Sequence, residues 1–142
     1  MTQLQAIRWF GAEVTGEPIT VRRNRTEWGC CISEPHPTFY LPKDLTQNDE
    51  QDKLFRKDFV ARCPLARGFS NPTLSMLHEI GHFYTSEAWL EQDQELYANA
   101  CGNEHFQMYC EIVATNWAIE WLQDADNRKL AKAFERKFFG RW

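Results

Sequence analysis

The apolar positions change period partway along the chain. Between residues 17 and 42 they alternate with polar ones, the pattern of half-buried strands. Ile19-Thr20-Val21-Arg22-Arg23 alternates cleanly. Residues 27–33 and 38–41 predict two further strands, with Glu34-Pro35-His36-Pro37 as the turn between them. Pro42 ends the third strand, and a proline there predicts an edge position, because it has no N–H to give a neighbour.

From Gln47 onward the period is helical. Residues 49–61 carry Leu54, Phe55, Phe59 and Val60 at helical spacing, and Cys63-Pro64 ends that run. Asn71-Pro72-Thr73 starts a helix over residues 73–85, with proline in its first turn. The polar stretch 86–94 predicts a loop or a single turn, and residues 95–102 a short helix stopped by Gly102. A longer helix covers residues 104–123. The last, over 127–139, puts Leu130, Ala133, Phe134 and Phe138 on one stripe and closes at Gly140. A small antiparallel three-stranded sheet packed on a helical bundle follows, an α+β fold. At 142 residues, the chain 1–142 reads as a single domain with enough mass for a core.

Composition narrows the classes. The 10 Phe and 6 Trp favour a packed globule. The formal net charge of -4, spread along the chain, argues against a nucleic-acid partner held through phosphates. No run approaches the roughly 20 apolar residues of a membrane helix. The first ten residues have only Arg8 and a short, broken apolar run, which does not read as a signal peptide. The five cysteines, Cys30, Cys31, Cys63, Cys101 and Cys110, include no C-x-x-C pair. Reduced thiols and a cytoplasmic location are the expectation.

The chemistry sits in His78-Glu79-Ile80-Gly81-His82. Histidines four apart on a helix share a face one turn apart, so both imidazoles can reach one zinc ion. Glu79 lies beside them. It is placed to take a proton from a water activated by the metal and to return it to a leaving amine. Gly81 weakens the helix by about 1 kcal/mol relative to alanine. What it offers in exchange is room for another element to come close.

A catalytic zinc keeps three protein ligands and one open position, so a third ligand must lie downstream. The extended metzincin pattern would need glycine and histidine where Thr85 and Ala88 stand, which excludes that class. Glu111 is the favoured ligand, because Ala114 and Ala118 share its helix face and allow close packing on the motif helix. His105 is the rival. A purely structural zinc would instead close the fourth position with Cys101, Cys110 or His105. The thermolysin-like pattern also wants an aspartate four residues after the glutamate. Position 115 is threonine, so the usual partner of a ligand histidine is missing there.

A small sheet leading into H-E-x-G-H, then Glu111-x-x-Ala114-x-x-Trp117-Ala118 on a later helix, resembles the ImmA/IrrE family of zinc-peptidase domains, common in bacteria, phages and mobile elements. The resemblance covers residues 74–122. It implies a minimal zincin-like fold, Zn2+ held by His78, His82 and Glu111, and Glu79 as general base. It also implies a single regulatory protein as substrate, an analogy of family rather than a reading of residues. The competing class is a zincin-fold protein that binds or inhibits a host or regulatory partner without cutting it. The third strand, taken as an edge, would receive an extended peptide by backbone pairing, with either Phe39 or Tyr40 facing the site.

Overall fold

The computed structural model describes residues 1–25, 27–31, 38–92 and 104–140, and for residues 24, 25, 31, 86–92 and 104–107 the backbone alone. Among these are five α-helices and a three-stranded sheet: α1 (Gln3–Thr15), β1 (Thr20–Arg25), β2 (Gly29–Cys31), β3 (Thr38–Pro42), α2 (Glu50–Arg62), α3 (Asn71–Gln92), α4 (Glu104–Leu122) and α5 (Ala125–Phe139). A 3-10 turn, Pro64–Gly68, links α2 to α3. The α+β class stands. None of the described helices is long and apolar enough to cross a membrane.

Helix α1 is an addition to the sequence expectations. The Thr2 hydroxyl accepts the Gln5 N–H at 3.1 Å, and the Gln5 side chain accepts the Thr2 N–H at 2.8 Å, a reciprocal cap. Ala6, Ile7 and Phe10 form its buried face. Phe10 stacks on Phe134 of α5 at 4.4 Å and meets Trp121 of α4 edge-on at 6.0 Å. The run 1–10 looked broken because Arg8 and Trp9 interrupt it, yet Leu4, Ile7, Phe10 and Val14 keep helical spacing.

The sheet is mixed rather than antiparallel. Its order is β1-β3-β2, with β1 parallel to β3 and β2 antiparallel to β3. The chain reverses twice between β1 and β3, so β3 returns in the direction of β1 and slots between its predecessors. It takes the centre because it is the most apolar strand: Phe39 and Leu41 are fully buried. Pro42 is tolerated there as the terminal residue, paired with Arg25 after a register shift. The edges are therefore β1 and β2, and β2 is the strand that packs against α3.

Helix α2 begins and ends close to expectation, capped by Asp49 and stopped at the extended Cys63. Helix α3 runs on to Gln92, past the loop expected from 86, because that stretch is polar but holds neither glycine nor proline. The short helix expected at 95–102 lies outside the described residues. Helices α4 and α5 match their expected spans to within two residues, and Gly140 caps α5 in the left-handed region at φ 67°.

Two contacts position α3. At its start, Glu135 of α5 accepts the Ser70 N–H at 2.6 Å and the Thr73 hydroxyl at 3.1 Å. A carboxylate from a distant helix thus satisfies donors at the α3 N-terminus and complements its dipole. Midway, Leu74, Met76, Leu77 and Ile80 are fully buried, anchoring the helix in the core.

Candidate metal centre

His78 and His82 lie one turn apart on α3, their ring centroids 4.6 Å apart at 85°. The ligand atoms of His78, Glu79 and His82 all fall within 4.8 Å of one another. Across from them stands Glu111 of α4. One of its carboxylate oxygens lies 2.6 Å from His78 Nε2, the other 3.1 Å from His82 Nε2. The fold thus brings together four residues that the sequence singled out, from positions 33 residues apart. His105 also lies on α4, but its side chain is outside the described residues, as is Cys101.

Gly81 makes this convergence possible. A Cβ at that position would stand 2.3 Å from the backbone oxygen of Ala114. The two helix backbones touch there, and Ala114 and Ala118 are fully buried in the seam. Close approach is what lets the short Glu111 side chain reach imidazoles on the neighbouring helix.

Thr115 overturns one expectation. Its buried hydroxyl lies 2.9 Å from His78 Nδ1, so the position that lacks aspartate still supplies an orienting partner. Donation from Nδ1 to this hydroxyl would leave Nε2 for a metal, in place of its hydrogen bond to Glu111. The sequence signal was present: Glu111 and Thr115 are four residues apart, hence on one helix face. Phe55 of α2 completes the support, its ring edge-on to His78 at 5.3 Å.

The electrostatics follow from burial and pairing. Glu79 is only 7% exposed and has no hydrogen-bond partner among the described residues. Burial pushes its carboxyl above the ordinary range, against the pull of His78 and His82. Burial would raise Glu111 too, but its hydrogen bonds to both histidines prevail and hold it well below the usual carboxylate range. His82 is moved upward: burial lowers it, and the Glu111 hydrogen bond together with the Glu79 and Glu111 charges outweighs that.

These donors suit zinc. Two imidazole nitrogens and one carboxylate are a ligand set of catalytic zinc sites, and the partner on His78 Nδ1 is what such ligands require. The centre opens into a cleft of about 650 Å³. Trp28, just before β2, and Phe55 are among its walls, and Glu27, Asp49 and Asp52 add charge. None of these five was recognised as site-forming from sequence. Phe39 is buried in the core, and neither it nor Tyr40 lines the cleft. The edge near the site is that of β2, not β3. Tyr84 packs away from the cleft: it stacks on Trp117 at 5.2 Å, and its hydroxyl donates to the Thr15 carbonyl at 3.4 Å.

Comparison with protein-family models, with curated proteins and with solved structures finds no match to this chain.

Proposed function

We propose that the protein is a zinc-dependent metallopeptidase of the H-E-x-x-H class that hydrolyses a peptide bond in a protein substrate. The observation that supports it most is the convergence of His78 Nε2, His82 Nε2 and the Glu111 carboxylate beside a buried, unpartnered Glu79 at an open cleft. His78, His82 and Glu111 would hold the zinc. When bound there, zinc supplies Lewis acidity, polarising a carbonyl and bringing the pKa of a water to about 7.

The chain's own residues do the rest. Glu79 takes up the proton that the attacking water releases and delivers it to the nitrogen of the departing amine. Thr115 fixes the ring of His78, and Gly81 sets the distance between the helices that carry the ligands. Glu79 also separates this reading from a non-cleaving binding protein, which has no use for a buried carboxylate at that position.

The resemblance to ImmA/IrrE domains supports a narrower substrate class, a single regulatory protein of a bacterial, phage or mobile-element system. A cytoplasmic setting fits the free thiols of Cys63 and Cys110. The test is a pair of measurements on Glu79→Gln. The variant should bind zinc as the parent does, and its hydrolysis should fall by about 10² to 10⁴. A parent protein that cannot be loaded with zinc, or a variant that cleaves at the parental rate, would sink the proposal.

A further inference from the structure

The charge of the chain is unevenly distributed. All 16 Lys and Arg residues lie within residues 1–67 or 128–142, and the 60 residues from 68 to 127 hold none. Acidic residues recur through that same stretch, among them Glu79, Glu87, Glu91, Asp93, Glu95 and Glu104. The cleft repeats this imbalance. Its described lining includes five carboxylates, Glu27, Asp49, Asp52, Glu79 and Glu111, and neither lysine nor arginine.

Two of the five have roles in the peptidase reading: Glu111 as ligand and Glu79 as base. Three remain. Asp49 and Asp52 each accept the backbone N–H of the other, at 2.9 and 3.0 Å, which fixes both carboxylates at the start of α2 and leaves their charge in place. Glu27 is exposed and makes no hydrogen bond or ion pair among the described residues. The nearby cations of α2 and of the 3-10 turn after it face elsewhere. Lys53, Arg56, Lys57 and Arg67 line a separate groove of about 570 Å³, and Lys53 pairs with Glu50 at 3.5 Å. Glu79 lines the same cleft, between the metal centre and this acidic wall.

The apolar walls match the charge. Trp28 and Phe55 are half-buried aromatics lining the same cleft. Lysine and arginine lay their methylene stems on such surfaces and keep the charged head among polar groups. An aromatic face attracts the cation, and a carboxylate binds it through charge-assisted hydrogen bonds. Like charges focused in one cleft also raise the local concentration of cationic ligands.

We propose, resting on the peptidase reading, that the cleft takes a peptide segment with an arginine or lysine beside the bond to be cut, its stem against Trp28 and Phe55 and its head on Glu27 and Asp52. The substrate is thus a basic segment of a protein, selected by one long cationic side chain.

Binding tests this without hydrolysis. Zinc-loaded Glu79→Gln protein is titrated with three alanine-based hexapeptides carrying a neutral fluorophore and differing at one residue: Arg, Gln or Glu. Fluorescence anisotropy should show the Arg peptide binding about tenfold tighter than the Gln peptide, with the Glu peptide weakest. Adding Glu27→Gln and Asp52→Asn should remove most of that preference; asparagine keeps the cap acceptor, so α2 stays intact. Raising salt from about 20 mM to about 500 mM should shrink the preference as well. Equal binding of the three peptides, no binding of the Arg peptide at millimolar concentration, or a preference unmoved by the double substitution overturns the proposal. The parent protein separates the two readings. Arg-selective binding by a parent protein that cannot be loaded with zinc removes the peptidase and keeps the cationic subsite. Cleavage of the Gln peptide as readily as the Arg peptide does the reverse.

Discussion

Replacing Gly81 with alanine adds one methyl group where α3 and α4 touch. The new Cβ would meet the Ala114 carbonyl oxygen at 2.3 Å, its carbonyl carbon at 3.0 Å and its Cα at 3.1 Å. Ordinary contacts begin at 3.4 Å, so the oxygen is too close by 3.4 − 2.3 = 1.1 Å. All three atoms are backbone, and no rotamer change can relieve them. Helix α4 must retreat by about 1 Å, and such overpacking costs about 1–3 kcal/mol. Alanine returns about 1 kcal/mol in helix propensity. The net expectation is a loss of stability of about 0–2 kcal/mol. The larger effect falls on the site, because Glu111 and Thr115 travel with α4. Ligand distances tolerate about 0.2 Å, so a shift of about 1 Å takes Glu111 out of reach and weakens zinc binding at least about tenfold. Urea unfolding with and without zinc, and chelator competition, measure the two effects. A variant stabilised by its better helix former, with unchanged zinc affinity, would refute the close seam between α3 and α4.

Glu111→Ala should weaken zinc binding strongly and leave the fold intact, while His105→Ala should do little; chelator competition on both variants decides, and the opposite pattern reassigns the third ligand. Thr115→Val keeps the shape of the side chain but leaves His78 Nδ1 without its partner, so zinc affinity should drop about 10- to 100-fold. Thr115→Ser should restore it. Equal zinc affinity for parent and valine variant would reduce Thr115 to packing.

The helices around the site were legible because their signals are local. Asp49 and Asn71-Pro72 announce starts, Cys63-Pro64 and Gly140 announce stops, and apolar stripes run between them. Glycine at position 81 and alanines at 114 and 118 foretold a close helix crossing, and the two backbones do meet there. Helix α1 hid behind Arg8 and Trp9, although Thr2 and Gln5 spell a capping box. Strand order was out of reach for a different reason. Each strand reports its own burial pattern, but which neighbour it pairs with depends on contacts across the sheet. That left β3 as an expected edge when its burial on both faces makes it central. The acidic cleft was illegible because Glu27 and Trp28 come just before β2 and Asp52 and Phe55 from α2, and no local spacing joins them.

The centre is specified unequally from its two sides. His78 is buried and fixed by Thr115 and Phe55, on a helix whose start is held by Glu135 and whose middle is locked in the core. Glu111 is different. Its side chain is 61% exposed, and its described partners are the two imidazoles alone. Exposed ion pairs hold little by themselves. On the proposed reading, helix α3 presents a prepared half-site, and α4 supplies a ligand whose placement depends on what lies between it and the histidines. A cation shared by all three would join α3 to α4 at the point where Gly81 already brings their backbones together. Metal binding then acts on the seam itself, and zinc should stabilise the folded chain by about 2.7 kcal/mol at a free concentration of about 100 Kd. On the proposed reading, Gly81 and Ala114 keep the helices close enough for a shared metal, where larger residues would hold His78 and His82 away from Glu111.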